Sequence, residues 1–269
     1  MAYEQYTYRL RGSNEIEIKY KGNYGARGEK RAPKTKATRE QIKKQNQWKK
    51  ETEVRRTIKL NFEPYDLWNT LKYPEGTRLT LEEVNGHLKC FFDKMRRRYK
   101  KRGRPFKWIK RLDISSRGGI HIHILVNRLQ GAPDTDIVIQ ECWPYGRVYY
   151  TNIYEQGGYE ALAEYITKKP DEEMEGQLSL FPEEDRKAFR TYSSSRNLVR
   201  PEPERKHYAR RTLRKLFEEG PTPTPGFYID KNSIIYGINP YTGMSYYRYT
   251  EVKLGFVDHV ANMTERRQE

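Results

Sequence analysis

The chain has 269 residues, with 52 Lys and Arg against 36 Asp and Glu, a formal net charge of +16 and only 35% hydrophobic residues. Core material is scarce for that length, so a core domain with appended arms is expected, and the positive balance suits a polyanionic partner. No apolar run is long enough to span a bilayer, Met1 to Leu10 lacks the apolar centre of a signal peptide, and Cys90 and Cys142 are too few for a disulfide framework or a cysteine-rich zinc site. The expected setting is the cytoplasm, without membrane contact and with both thiols reduced and packed.

Residues 1 to about 37 are tyrosine-rich, basic and broken by glycines, and Glu15 to Tyr20 is their one alternating strand candidate. Tyr3, Tyr6, Tyr8, Tyr20 and Tyr24 interleave with Arg9, Arg11, Lys19 and Lys21. Such a mixture can stack bases and neutralise phosphates, and a solvated tail accounts for it equally. The pattern predicts an arm with one hairpin. Thr38-Arg-Glu-Gln41 has the form of a capping box opening a polar helix to about Glu51. Arg55 to Phe62 reads as the first core strand, and Pro64 and Pro74 frame one helical turn around Asp66 to Leu71.

Thr80-Leu-Glu-Glu83 is a stronger capping box, and Leu81, Val84, Leu88, Phe91, Phe92, Met95 and Tyr99 form a continuous apolar stripe behind it. The helix ends in Arg96-Arg-Arg98 and Lys100-Lys-Arg102 before Gly103. A solvated terminus accounts for these cations, and so does a phosphate-contacting edge, for which Arg97 and Lys100 are the candidates.

The segment Arg111 to Asn127 reads as a β-hairpin. Trp108, Leu112 and Ile114 lead into a turn at Gly118 and Gly119, and Ile120, Ile122, Ile124 and Val126 leave it, with the period of a half-buried strand. His121 and His123 therefore share a face, roughly 7 Å apart at their Cα atoms. With Ser116-Arg117-Gly118 at the tip, Asp113 lies across from His121 at a cross-strand Cβ distance of about 5 Å. Two imidazoles and a carboxylate so placed make an open half-shell for a divalent cation, although a His-x-His pair taken alone also fits the polar outer face of an edge hairpin.

Trp143 to Gly146 is a turn and Arg147 to Ile153 a strand. Gly158 to Pro170 is then a short helix, with Tyr159, Leu162, Ala163 and Ile166 as its buried stripe. Tyr165 and Lys168, three apart, lie beside that stripe as neighbours. An ordinary core-edge tyrosine and a lysine paired with Glu164 would read the same way. Asp171 to Asp185 is acidic and predicts an exposed loop, Thr191 to Leu198 a last core strand, and Tyr208 to Phe217 a basic helix. A rigid Pro221-Thr-Pro-Thr-Pro225 linker follows, then a β-meander from Phe227 with turns at Asp230 to Asn232 and Asn239 to Gly243.

Asp113, then His-hydrophobe-His, then Tyr-x-x-Lys in a helix, in that order, resembles the His-hydrophobe-His (HUH) single-strand endonucleases, and among them the single-tyrosine rolling-circle replication initiators of phages, plasmids and integrative elements. The resemblance places Arg55 to Phe62 as the first core strand and Arg190 to Leu198 as the late one. It implies an α+β fold: a ferredoxin-like antiparallel sheet core over residues 54–200, a basic arm and helix over 1–53, and a basic helix, linker and β-rich extension over 201–269. It further implies Tyr165 as nucleophile, Lys168 as its phosphate-positioning partner, and His121, His123 and Asp113 as ligands of Mg²⁺ or Mn²⁺. The acid is Asp where the family often has Glu, which shortens its reach, and Lys169 follows Lys168. Arg117, Lys169 and Arg196 join Arg97 and Lys100 as candidate DNA contacts. The implied substrate is single-stranded DNA or an origin hairpin. No Gly-x4-Gly-Lys-Ser/Thr loop is present, so a host helicase and a polymerase are the implied partners. The same chemistry would serve a conjugative relaxase or a single-strand transposase, and a non-catalytic binder of single-stranded nucleic acid would use the histidines as a polar sheet face and the tyrosines as stacking rings.

Overall fold

The structure, a computed structural model, describes residues 3–22, 30–153, 156–208 and 213–255, the side chains at 156, 157, 187 and 188 excepted. In chain order it begins with β1 (Tyr3–Leu10), β2 (Ser13–Tyr20), α1 (Arg39–Asn61), β3 (Leu67–Lys72), α2 (Leu81–Lys101), β4 (Trp108–Ile114) and β5 (Ile120–Val126). Then come α3 (Thr135–Cys142), β6 (Arg147–Asn152), a 3-10 turn, α4 (Glu160–Thr167), α5 (Glu172–Leu178), α6 (Glu183–Ala188) and β7 (Tyr192–Ser194). The chain closes with β8 (Glu204–Tyr208), α7 (Arg214–Glu219), β9 (Phe227–Asn239) and β10 (Met244–Lys253). Met1–Lys49 and Arg200–Glu269 make one compact unit, and Lys50–Val199 the other.

The central unit is α+β, built on an antiparallel sheet of order β6-β3-β5-β4-β7. Period-2 alternation splits each strand between two faces. Leu67 and Leu71 on β3, Leu112 and Ile114 on β4, and Ile122 and Ile124 on β5 go to one face, where Leu88, Phe91, Met95 and Tyr99 of α2 and Val138 and Ile139 of α3 cover them. Ile109 of β4 and Leu125 of β5 go to the other, beneath Val54 and Ile58 of α1 and Ala163 and Ile166 of α4. The side chains of Trp68, Thr70, Lys72, Arg111, Asp113, His121 and His123 belong to that second face by register.

The capping box at Thr80 is present in full: its hydroxyl accepts from Glu83 N and the Glu83 carboxylate accepts from Thr80 N. The hairpin register places Asp113 opposite His121. Three local expectations are overturned. Arg55 to Phe62 is not a strand; it continues α1, because Val54, Ile58 and Phe62 repeat every four residues and are the buried positions, whereas Leu60 is only half-buried. The first core strand is β3, where a helical turn is predicted, since the four-residue gap between Leu67 and Leu71 satisfies either period and pairing with β5 and β6 decides for the strand. Asp171 to Asp185 is not a loop: the Asp171 carboxylate caps Met174 N at 3.0 Å, and Met174 is buried in the α2 core. With β3 in first place, the succession of strand, helix, two strands, strand, helix and strand stands, α3 being added before β6.

In the terminal unit the order is β8-β1-β2-β10-β9. Residues 1–53 and 201–269 are thus not a separate arm and extension: β1 pairs with β8 and β2 with β10, antiparallel throughout. β9 runs unbroken through Asp230 to Asn232, where the sequence predicts a turn; the irregularity there is a register shift against Arg248 and Thr250 of β10. Of the predicted helix Tyr208 to Phe217, Tyr208 ends β8, Arg214 onward is α7, and 209–212, like Tyr24, lie outside the described residues.

Phe91 is fully buried against Phe92 and Trp143. Phe91→Ala is expected to lower the unfolding free energy by about 3 to 5 kcal/mol in a denaturant titration, through lost transfer energy and an unfilled cavity.

Candidate active site

The site forms where α4 crosses the second sheet face. Before it, Gly158 (φ 61°) and Tyr159 (φ 64°) turn the chain left-handed, and Ala163 and Ile166 seat the helix on the sheet. Three residues beyond Leu162, Tyr165 falls at the edge of that contact, 37% exposed. Its hydroxyl donates to Asp113 Oδ2 at 2.7 Å. The ring stands edge-on to His123, with centroids 5.3 Å apart, and to Trp68 at 6.1 Å.

Asp113 is held from its other side. Arg111, two positions earlier on β4 and so on the same face, is 3% exposed and donates through Nε to Asp113 Oδ1 at 2.7 Å. Its Nη1 donates to the carbonyls of Ile166 (3.1 Å) and Lys168 (2.6 Å), which the end of α4 leaves without helical partners. The guanidinium also lies 5.2 Å from the centre of the Tyr165 ring. One buried cation therefore ties the strand, the carboxylate and the tyrosine helix together.

His123 stacks on Trp68, its Nδ1 is 3.0 Å from Thr70 Oγ1, and its Nε2 is 3.6 Å from Asp113 Oδ2. Burial is the main cause that pushes its pKa down to about 4, against the pull of the Asp113 charge, so the ring is neutral at pH 7. His121 is also shifted down, first by burial and then by Lys72 beside it. Burial, followed by the hydrogen bond to Asp113, raises the Tyr165 hydroxyl well above its ordinary value and keeps it a phenol.

A divalent cation is tested by these donors. With Thr70 engaging Nδ1, a neutral His123 presents Nε2, and the 3.6 Å from that atom to Asp113 Oδ2 is a spacing two donors can share about one ion some 2.1 Å from each. His121 is the next position on the same face. The three residue types fit the group in kind and in placement, while among the described residues no set of three or more His, Cys, Asp or Glu side chains is already gathered as a metal shell.

Other predicted residues are placed differently. Lys168 is the C-cap of α4, half exposed, and its Nζ bonds Asp171 at 3.2 Å rather than lying beside Tyr165 on the helix. Arg117 lines a cleft next to His121. Lys169 and Arg196 are exposed, the first close enough to Lys50 to lower that amine's pKa after burial has done so. Arg97 and Lys100 are exposed on α2, which covers the face opposite the histidines. Sequence reasoning misses Arg111, although its spacing from Asp113 signals a shared face, and misses Trp68 and Thr70 because their strand is not read as one.

An antiparallel α+β sheet that presents paired histidines, an opposed aspartate and one tyrosine from a helix defines a protein with a phosphodiester-type site. Residues 66–170, from the approach to β3 to the proline after the tyrosine helix, match the family model for the replication-associated proteins of the ORF2 type, a match that supports a rolling-circle replication initiator. No curated protein and no solved structure matches the chain.

Two outcomes follow from the geometry. Because the His123 pKa is depressed in the folded state, its contribution to stability is present above about pH 6.5 and is lost as the pH falls toward 4. In chelator, His123→Gln should flatten that part of the stability profile, by up to about 3 kcal/mol. Arg111→Gln leaves Asp113 without its cation and the end of α4 without donors, and should cost about 3 kcal/mol in thermal or denaturant unfolding.

Proposed function

We propose that the chain is a rolling-circle replication initiator that nicks single-stranded DNA at an origin through Tyr165, leaving a 5′-phosphotyrosine and a free 3′-hydroxyl. The observation that carries this reading is the tyrosine hydroxyl 2.7 Å from Asp113, its ring against His123. The match of residues 66–170 to replication-associated proteins supports the same role.

Tyr165 Oη attacks the phosphorus, the new O–P bond forms, and the bond to the 3′ oxygen breaks. Burial and the carboxylate keep the phenol protonated at rest, so its proton must leave as the bond forms, and Asp113 Oδ2 is the acceptor within reach. The departing 3′ oxygen takes a proton from water. Arg111 holds the carboxylate and the helix end in register through this transfer. Lys168 would exchange Asp171, a weak exposed partner, for a phosphate oxygen of the substrate. His121, His123 and Asp113 would hold a Mg²⁺ or Mn²⁺ ion, which when bound supplies Lewis-acid polarisation of the phosphate. A covalent phosphotyrosine keeps the energy of the cleaved bond for rejoining, whereas direct hydrolysis would discard it. Strand separation and extension of the 3′ end fall to a helicase and a polymerase, since the sequence has no phosphate-binding loop of its own.

The test is incubation of the full chain with single-stranded oligonucleotides from its element's origin and Mn²⁺, read on a denaturing gel. A protein-DNA adduct is expected with the unaltered chain and none with Tyr165→Phe or in chelator. Asp113→Asn should slow adduct formation by about 10² to 10⁴. An adduct that survives Tyr165→Phe would remove the tyrosine from the chemistry.

A further inference from the structure

Beside His121 the same sheet face opens into a cleft of about 780 Å³, lined by the 72–78 connection, the turn between β4 and β5, and the start of β6. The volume lies in the range of small-ligand sites. By register, Arg147, Lys72, His121 and Asp113 form one row across the sheet, with Tyr149 in the next. Arg78 and Arg117 reach the cleft from the two connections. Lys72, Arg78, Arg117 and Arg147 form no ion pair among the described residues, and the one acidic residue lining the cleft is Glu75. Four unneutralised cations on one concave wall raise the local potential for an anion. Tyr149 is 51% exposed, with Lys72 Nζ 4.9 Å from its ring centre.

Small residues keep this wall shaped. A Cβ at Gly146 would stand 2.1 Å from Lys72 O, so only glycine lets β6 approach β3 here, and a Cβ at Gly119 would stand 3.2 Å from Ser115 Oγ and 3.9 Å from His121 Nε2.

We infer that this cleft is a nucleotide pocket for single-stranded DNA, holding the nucleotide that adjoins the scissile phosphate. Tyr149 stacks the base, and Lys72, Arg78, Arg117 and Arg147 hold the flanking phosphates. The ligand is a single strand and not a duplex, because an exposed ring serves a base only when that base is unstacked from its neighbours. Placing the nucleotide next to His121 rests on the nicking reading; the pocket itself rests on the cations and the ring.

Binding of a labelled single-stranded oligonucleotide is measured by anisotropy over a range of salt concentrations, on the full chain carrying Tyr165→Phe so that no covalent step intervenes. Arg78→Ala with Arg147→Ala should reduce the slope of log affinity against log salt by about 1.4, as two lost phosphate contacts on a single strand require. Tyr149→Ala should weaken binding about 5- to 100-fold. Lys89→Ala with Lys101→Ala, which removes the same charge from exposed positions on α2, should leave the slope unchanged. Retention of the parent slope by the arginine pair, or of the parent affinity by Tyr149→Ala, overturns the pocket. So does an equal loss of slope in the α2 pair, which would make the effect one of net charge. The adduct assay on the Tyr165 chain separates the two readings: adduct without a pocket effect sinks the pocket alone, and a pocket effect without adduct sinks the nicking alone.

Discussion

The bridge made by Arg111 is the interaction on which the site depends. A guanidinium buried to that extent is stable only with its donors matched, and its acceptors come from two places: a carboxylate on its own strand and the open carbonyls at the end of α4. The helix has few turns of its own, so its direction is set by this clamp and by Ala163 and Ile166 on the sheet. Tyr165 inherits its position from both. A single planar group thus converts strand register into the placement of a hydroxyl that is distant in sequence, which a lysine, with a point charge and a flexible stem, would do poorly.

The two faces of the central sheet divide the work. One is sealed by α2 and α3 and supplies most of the core. The other is only partly covered, and along its uncovered rows the alternation of the strands sets cations, imidazoles, a carboxylate and aromatic rings side by side. The depressed histidine pKa values and the raised tyrosine belong to this half-open condition: burial is sufficient to penalise charge, and the cleft beside His121 still admits a ligand.

What the sequence made legible was local. The hairpin follows from Gly118 and Gly119 between alternating runs, and once the turn is placed the opposition of Asp113 and His121 is a matter of counting. Thr80 and Glu83 announce α2 because both halves of the reciprocal cap lie within four residues. The failures are positions where local signals were compatible with two answers or absent. Ile58, Leu60 and Phe62 alternate like a strand, and only the burial of Val54, Ile58 and Phe62 against Ile109 and Leu125 selects the helix. β3 is a central strand whose partners come from distant parts of the chain, and with it went Trp68 and Thr70, which orient His123. Lys168 looked like a helical neighbour of Tyr165 because the spacing was right; the helix ends one residue too soon for it.

The pairing of β2 with β10 and of β1 with β8 has a consequence for biosynthesis. The sheet of the terminal unit needs strands from both sides of Lys50–Val199, which lies interposed between its halves. A ribosome delivers β1 and β2 first, and they wait with open strand edges while the whole central unit emerges and folds. Closure of the outer sheet is therefore a late event that must await the emergence of β10, and a translation product truncated before β8 would hold a completed central unit beside a sheet still lacking its partners.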